Sequence, residues 1–134
     1  MGLFLDFSKA FDTVNHDILT PKLEKYGIRG VAGKWIKNYL RQRKQFVHFN
    51  NCNSESQIII CGVPQGSIMG PLLFLLYIND IVNVSNVLFP ILFADDTNVF
   101  IKGKDLKEMS VIMNFELCKL VEWLNVNKLS LNVN

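Results

Sequence analysis

Two adjacent carboxylates, Asp95 and Asp96, come directly after one of the most apolar runs in the chain, VLFPILFA. Two explanations are open for this pair. An Asp at a hairpin turn accepts hydrogen bonds from nearby backbone amides, so a turn alone accounts for one of them. A second carboxylate beside apolar neighbours costs several kcal/mol when it is ionised and unpaired, which favours a bound metal ion.

A third carboxylate, Asp6, interrupts another apolar stretch, GLFLDFS, and no basic residue is obviously placed to pair with it. If this stretch lies beside the Asp95–Asp96 hairpin in one sheet, the three carboxylates converge. Mg²⁺ is usually held by one or two carboxylates together with phosphates and waters. Two such ions about 3.5–4 Å apart would activate an attacking hydroxyl and stabilise the leaving oxygen of a phosphoryl transfer.

The elements that must position these residues follow from hydrophobic periodicity. Strands are predicted at GLFLDFS, KQFVHFN and SQIIICG, on both sides of the Asp pair in VLFPILFADDTNVFIKG, and at LSLNV. Helices are predicted at 15–26, 31–43 and 67–82, the third apolar on nearly all sides, and a long helix follows Asp105, which forms a capping box with Glu108. This order predicts an α+β fold, with helices packed on one face of an antiparallel sheet.

Helical spacing predicts the buried face of the long last helix, which consists of Leu106, Met109, Met113, Leu117, Leu120 and Leu124.

The bulk composition fits one domain, because 134 residues is an ordinary domain size and 49% hydrophobic residues can form a real core. The three cysteines have no zinc-type spacing and are typical of reduced thiols in an intracellular protein. The longest apolar helix is too short to span a bilayer, so we expect no membrane partner. Between Lys22 and Lys44 lie eight basic residues and one acidic residue. This segment is either a solvated helix face or a phosphate-binding surface.

Three blocks in the chain resemble motifs A, B and C of reverse transcriptases, in the form typical of non-LTR (LINE, jockey-like) retrotransposons. They read LDFSKAFDTVNHDIL, GVPQGSIMGPLLFLLYINDI and FADDT, in that order. The resemblance covers residues 1–134 as one partial domain and reaches the beginning of motif D, NKLSLNVN. It implies the palm of a right-hand polymerase that transfers a nucleotide from dNTP to a primer 3′-hydroxyl.

The resemblance also implies a metal site at the matching positions. Asp6 and Asp95 would be the main ligands, Asp96 would complete the acidic cluster, and the backbone carbonyl of Phe7 would reach a metal. The implied cofactor is a pair of Mg²⁺ ions, with Mn²⁺ as a substitute and no small-molecule cofactor. The implied partners are an RNA template, a DNA primer and dNTP.

Three further positions match the nucleotide-binding residues of the family. Phe11 matches the steric gate, whose ring leaves no room for a ribose 2′-hydroxyl, although a Phe at the start of a helix is also a common core residue. Gln65 matches the Gln that lines the incoming-nucleotide pocket, and Gly66 permits the tight turn beside it. The resemblance also suggests that the basic segment binds template or primer phosphates, through Lys34, Lys37, Arg41, Arg43 and Lys44.

The family's fingers, its thumb and its motif D lysine have no counterpart in these residues, so we expect little or no polymerase activity from this chain alone. The alternative is a non-catalytic retrotransposon remnant that at most binds nucleic acid or a protein. An RNA-dependent RNA polymerase is less favoured, because Phe11 would exclude ribonucleotides and PQGS is the reverse-transcriptase form of motif B.

Overall fold

The computed structural model describes residues 1–132, in which the chain combines four α-helices, one 3-10 helix and seven short strands. The helices are α1 (His16–Lys25), α2 (Gly30–Leu40), α3 (Met69–Ile78), a 3-10 helix (Asn79–Asn83) and α4 (Leu106–Val126). The strands are β1 (Gly2–Leu5), β2 (Lys44–Gln45), β3 (His48–Phe49), β4 (Cys52–Asn53), β5 (Gln57–Ile58), β6 (Phe89–Phe93) and β7 (Asp96–Phe100). The prediction of a mixed fold with antiparallel sheets is confirmed.

The main sheet has the antiparallel order β1-β7-β6, with β7 in the centre. Side chains alternate between its two faces, as the pleat of a strand requires. Thr97 and Val99 of β7 point into the hydrophobic core and are buried. Phe4 of β1 and Phe93 of β6 lie on the opposite face, where they are 76% and 77% exposed. One face of this sheet therefore joins the core and the other is open.

Helix α3 crosses the core, where Leu73, Phe74 and Tyr77 are fully buried. The helix is apolar on nearly all sides as predicted, but it is not buried on all of them, since Leu72 and Leu75 are 48% and 42% exposed. It is also shorter than predicted, because the chain tightens into the 3-10 helix after residue 78. Within the described residues, none of the helices is both long and apolar enough to cross a membrane.

Helix α1 is one residue shorter at each end than the predicted range 15–26. The side chain of Asn15 caps it by accepting hydrogen bonds from the backbone amides of Asp17 and Ile18 at 3.0 and 3.1 Å. Gly27 follows its end with a φ of +86°, a left-handed conformation that suits glycine. Pro21 lies inside the helix.

Helix α2 ends at residue 40, three residues before its predicted end at 43. Arg41 takes an extended backbone conformation, because the chain must reach the β2–β5 ladder, where Lys44 pairs with Ile58. The large apolar residues of this helix are only partly buried. Ile36 and Leu40 enter the core, whereas Trp35 is 55% exposed and stacks on Tyr39.

The segment between α2 and α3 differs from the two predicted strands, KQFVHFN and SQIIICG. It forms two separate two-stranded ladders, β2–β5 and β3–β4. The turn at Asn50 and Asn51 has positive φ at both residues, +47° and +61°, which is typical of a tight hairpin. The tip of the β3–β4 hairpin, Asn50 and Asn51, therefore lies where the first predicted strand, KQFVHFN, ends.

The predicted cap of α4 is confirmed, since Asp105 accepts from the backbone amides of Lys107 and Glu108. Met113, Leu120 and Leu124 are buried as predicted, and Met109 and Leu117 pack against the core. Leu106 is not a core residue, because it lies in the first turn, at the edge of the packed region, and is 65% exposed.

Glu116 on α4 is buried, although hydrophobic periodicity predicts only apolar residues on the buried face of this helix. Its carboxylate pairs with Lys119 at 2.7 Å. The hydrogen bond from Lys119 is the main cause that holds the pKa of Glu116 below its ordinary value, although burial acts in the opposite direction.

A largely buried ammonium group joins α1 to the core helices. Lys22 Nζ donates to the backbone oxygen of Tyr77 and to Asp80 Oδ1, both at 2.7 Å. It also lies 5.0 and 5.1 Å from the ring centroids of Tyr77 and Trp123. Burial lowers the pKa of Lys22, and the bond to Asp80 opposes that shift.

The predicted last strand, LSLNV, is reduced to one isolated antiparallel bridge between Phe7 and Leu131. Val133, its predicted end, lies outside the described residues.

Candidate active site

The strand that leads to Asp6 and the hairpin that carries Asp95 and Asp96 are neighbours in the main sheet. Leu5 pairs with Thr97, so the same register carried one residue further places Asp6 level with Asp96. Opposed residues on adjacent antiparallel strands have Cα atoms about 4.5–5.5 Å apart. The pairing therefore brings the backbones of two acidic residues that are far apart in sequence close together at one end of the sheet.

The hairpin turn consists of Ala94 and Asp95, because Phe93 and Asp96 close the ladder on either side. Ala94 has a φ of +53°, a left-handed conformation that is uncommon for a residue with a side chain. Asp95 thus lies at the turn as predicted, whereas Asp96 is the first residue of β7. The Asp95 side chain is therefore carried by the turn and the Asp96 side chain by strand β7.

The acidic residues lie on the open side of the sheet. Asp6 and Asp96 are exposed and Asp95 is half-buried. Among residues 1–132, none of the three forms an ion pair with a basic side chain. In the same residues, no three acidic, histidine or cysteine side chains are close enough to form a ready-made metal-binding group. The sheet brings the backbones together and leaves the carboxylates free of cationic partners.

Phe7 has its side chain in the core and is buried. The residues on either side of it bond to the C-terminal segment, through Asp6 O to Asn132 N and Ser8 N to Ser130 O. Because successive peptide groups of a strand point in opposite directions, the Phe7 carbonyl faces the side of β7 and its hairpin. This orientation fits its predicted place beside the carboxylates.

Asn132 is a neighbour of the acidic cluster that sequence reasoning missed. Its side-chain amide donates to Asp6 Oδ2 at 3.0 Å. The two residues are 126 positions apart, so no local pattern indicates the contact. The only available signal was the LSLN alternation that predicted a strand there.

Phe11 lies in the turn-rich segment between β1 and α1 and is half-buried. Its ring packs on Phe74 of α3, with centroids 4.8 Å apart and planes tilted by 42°. One side of the ring is therefore supported by the core, as expected both for a steric gate and for a core residue at the start of a helix.

Gln65 and Gly66 form the loop before α3, and both are exposed. Gln65 Nε2 donates to Asp12 Oδ1 at 2.9 Å. Gly66 has a φ of +77° with open space where a Cβ would lie. Asp12 therefore binds Gln65, the predicted nucleotide-pocket residue, directly.

The loop that carries Gln65 is hydrogen-bonded to the segment that follows Asp6. Gly62 N donates to Val14 O at 2.7 Å, and Val63 N donates to Phe11 O at 2.8 Å. The approach at Gly62 is so close that a Cβ there would lie 2.8 Å from Asp12 O. These contacts place Phe11 and Gln65 on neighbouring segments.

The predicted nucleic-acid-binding residues are all exposed, but they do not form one helix face. Lys34 and Lys37 lie on α2, where Lys37 pairs with Glu24 at 3.2 Å. Arg41 follows the helix, Arg43 lies over the Tyr39 ring at 5.3 Å, and Lys44 begins β2.

A cavity of about 570 Å³ connects part of this basic group to the loop before α3. Its lining includes Arg43 and Lys44 on one side and Asp12 and Gln65 on another. His16 also lines it, with Nε2 at 2.7 Å from Gly62 O. Two basic side chains and the Gln65 amide therefore share one concave surface.

Sequence comparison relates the chain to known proteins. The sequence profile of the family described as "Reverse transcriptase (RNA-dependent DNA polymerase)" matches residues 1–134. A probable RNA-directed DNA polymerase from transposon X-element of Drosophila melanogaster is 36% identical over 107 residues, which are 77% of this chain and 12% of that protein.

The RNA-directed DNA polymerase from mobile element jockey of Drosophila funebris is 31% identical over 127 residues, covering 90% of this chain and 14% of the relative. The probable RNA-directed DNA polymerase from transposon BS of Drosophila melanogaster is 36% identical over 86 residues, which are 60% of this chain and 9% of that protein. The chain thus spans only 9% to 14% of the length of these relatives. It belongs to the reverse transcriptase family and is a reverse transcriptase domain of the non-LTR retrotransposon type.

Proposed function

We propose that this chain is the palm part of an RNA-directed DNA polymerase and that Asp6, Asp95 and Asp96 form its two-metal centre. The observation that carries the proposal is the pairing of β1 with β7, which places Asp6 level with Asp96 beside the turn that holds Asp95. The reaction is the transfer of a nucleotide from dNTP to the 3′-hydroxyl of a primer on an RNA template. The names of the relatives support the same reaction class.

The donor set fits Mg²⁺, a hard cation that prefers oxygen ligands. Asp6 and Asp95 are the main ligands, Asp96 adds a third carboxylate, and the Phe7 carbonyl faces the same side. Bound Mg²⁺ ions supply activation of the attacking hydroxyl and charge stabilisation at the leaving oxygen. Because one or two protein carboxylates usually suffice for each Mg²⁺, the open arrangement of the three side chains leaves positions for substrate oxygens.

Phe11 and Gln65 bind and select the nucleotide in this proposal. The Phe74 ring packs against one side of the Phe11 ring, so the Phe11 ring resists displacement by a ribose 2′-hydroxyl. Asp12 accepts from Gln65 Nε2 and leaves Gln65 Oε1 available as an acceptor. Gly66, with open space at its Cα, allows a substrate to approach the backbone.

Titration of the chain with Mg²⁺ and either dUTP or UTP, which differ only in the 2′-hydroxyl, followed by NMR, tests this proposal. We expect shifts at Gln65 and at the segment around Phe11 with Mg²⁺·dUTP, weaker shifts with Mg²⁺·UTP, and loss of both in Asp6→Asn and Asp95→Asn. Replacement of Asp17, an exposed acid on α1, is the matched control and should change nothing. Equal shifts for both nucleotides would contradict the gate, and unchanged shifts in both carboxylate variants would contradict the metal centre.

Primer extension on an oligo-primed RNA template tests the activity of the segment by itself. We propose that residues 1–134 alone give little or no extension, because catalysis needs primer, template and nucleotide held to within a fraction of an ångström. Robust extension that Asp95→Ala abolishes would contradict this part of the proposal and would place all the essential groups within these residues.

The exposed basic residues between α2 and β2 bind phosphates of the template or primer in this proposal. Charge reversal of Lys37, Arg41 and Lys44 should weaken binding of an RNA–DNA hybrid and reduce its salt dependence, because fewer counterions are released. Charge reversal of Lys102, Lys104 and Lys107 changes the net charge equally and is the control. Equal loss of binding in both triple variants would indicate a general charge effect and not a surface at α2 and β2.

A further inference from the structure

We propose that Asn132 is a positioning residue, which holds the Asp6 carboxylate in the orientation that binds the metal ion. The inference rests on the proposed metal centre and adds a residue to it. Its basis is a pair of hydrogen bonds between Asn132 and Asp6, one through the backbone and one through the side chains.

The two bonds act on different parts of Asp6. Asn132 N donates to Asp6 O at 2.8 Å, which fixes the backbone at the end of β1. Asn132 Nδ2 donates to Asp6 Oδ2 at 3.0 Å, which restricts rotation of the carboxylate. Because Oδ2 is engaged by the amide, Oδ1 remains available as a metal ligand.

The C-terminal segment is anchored just before it reaches Asn132. After α4, Lys128 takes a left-handed φ of +52°, and Leu129 N donates back to Leu124 O at 2.9 Å. Leu129 is buried, and Ser8 N donates to Ser130 O at 2.9 Å. The end of the helix therefore delivers Asn132 to Asp6 in a fixed register.

The chemistry of an amide suits this role. A neutral N–H donor orients a carboxylate without placing a positive charge beside the cation, as a Lys or Arg would. Hydrogen-bond partners of metal ligands typically affect metal affinity 10–100-fold when they are removed. The contact is exposed to solvent, so we expect an effect near the lower end of that range.

The dissociation constant of Mn²⁺, measured by electron paramagnetic resonance on the full chain, tests the proposal. We expect Asn132→Ala to raise the dissociation constant about tenfold. Asn132→Val, which favours the extended backbone and also lacks the donor, should give the same increase. Asn125→Ala, at an exposed asparagine near the end of α4, is the matched control and should stay within about twofold of the wild type.

A second readout separates positioning from a general loss of structure. In the metal-free chain, the ¹³Cγ resonance of Asp6 should shift in both Asn132 variants and stay unchanged in Asn125→Ala. If the Asp6 resonance and the Mn²⁺ affinity stay unchanged in a folded Asn132 variant, while Asp95→Asn weakens binding, the inference is wrong and the proposed metal centre stands. If the wild type shows no Mn²⁺ binding that depends on Asp6 and Asp95, both proposals fall.

Discussion

Gln65 donates a hydrogen bond through its side-chain amide to Asp12, across 2.9 Å and 53 positions of sequence. An ionised carboxylate only accepts hydrogen bonds, so this contact decides which end of the Gln65 amide faces Asp12. The nitrogen faces Asp12, and the Gln65 oxygen faces elsewhere. The contact links the segment after Asp6 to the loop that begins α3.

Asp12→Ala should release the Gln65 amide. We expect its two side-chain N–H resonances to shift towards those of a free glutamine, with a loss of about 0.5–1 kcal/mol of unfolding free energy for an exposed hydrogen bond. Asp12→Asn keeps an acceptor oxygen at the same place and is the conservative control. Identical Gln65 spectra in the wild type and in Asp12→Ala would show that the bond does not form in solution.

Gly62 and Gly66 offer a matched pair of glycine substitutions in the same loop. Both have positive φ, +86° and +77°, so an alanine is strained at either position by about 1–2 kcal/mol. Only at Gly62 would the new Cβ also meet backbone, at 2.8 Å from Asp12 O. Urea unfolding should therefore show a larger loss for Gly62→Ala, by about 1–3 kcal/mol. Equal losses would mean that the two segments are not held in close contact.

Lys22→Ala should destabilise the fold by about 1–3 kcal/mol, because it removes two hydrogen bonds and leaves Asp80 and the Tyr77 carbonyl without their partner. Lys25, exposed on the same helix, is the control, and Lys25→Ala should cost less than about 0.5 kcal/mol. Chemical denaturation at neutral pH measures both. If both variants lose the same small amount of unfolding free energy, the Lys22 contacts do not stabilise the fold.

Glu116 gives a pH dependence with a definite sign. Its pKa in the folded state lies below the ordinary value of 4.5, chiefly because of the bond from Lys119. The stabilisation of the fold by the ionised Glu116 carboxylate is therefore present above pH 4.5. It is lost as the pH falls through the folded-state pKa. Between about pH 6 and pH 3.5, the wild type should lose more unfolding free energy than Glu116→Gln.

The matched control for that experiment is Glu122→Gln, at an exposed position on the same helix. Its pH dependence should follow the wild type. If Glu116→Gln follows the wild type as well, the Glu116 carboxylate does not contribute to acid sensitivity.

Local signals in the sequence were sufficient for the parts of the fold that depend on local chemistry. Asn15 and Asp105 cap their helices because a short polar side chain reaches the first backbone amides. The hairpin around Asp95 follows from two alternating strands and a turn. The proximity of Asp6 to that hairpin was inferred from the cost of an unpaired carboxylate, and the β1–β7 pairing confirms that the strands are neighbours.

Other features were not predictable because they depend on distant partners or on competing local structure. The Asn50–Asn51 turn divides the predicted long hairpin into two short ladders. Leu106 follows the periodic pattern of α4, yet it lies beyond the core. The contact of Asn132 with Asp6 joins opposite ends of the chain, and its donor is a common polar residue with no distinctive spacing.

The central claim is that Asp6, Asp95 and Asp96 form one divalent-metal centre, and the location of bound Mn²⁺ tests it most directly. Substoichiometric Mn²⁺ broadens the NMR signals of nuclei near the ion, residue by residue. We expect broadening centred on residues 5–8 and 94–97, little effect near Asp17 or Asp105, and reversal by excess Mg²⁺. Broadening centred elsewhere, or spread evenly over all exposed acidic residues, would contradict it.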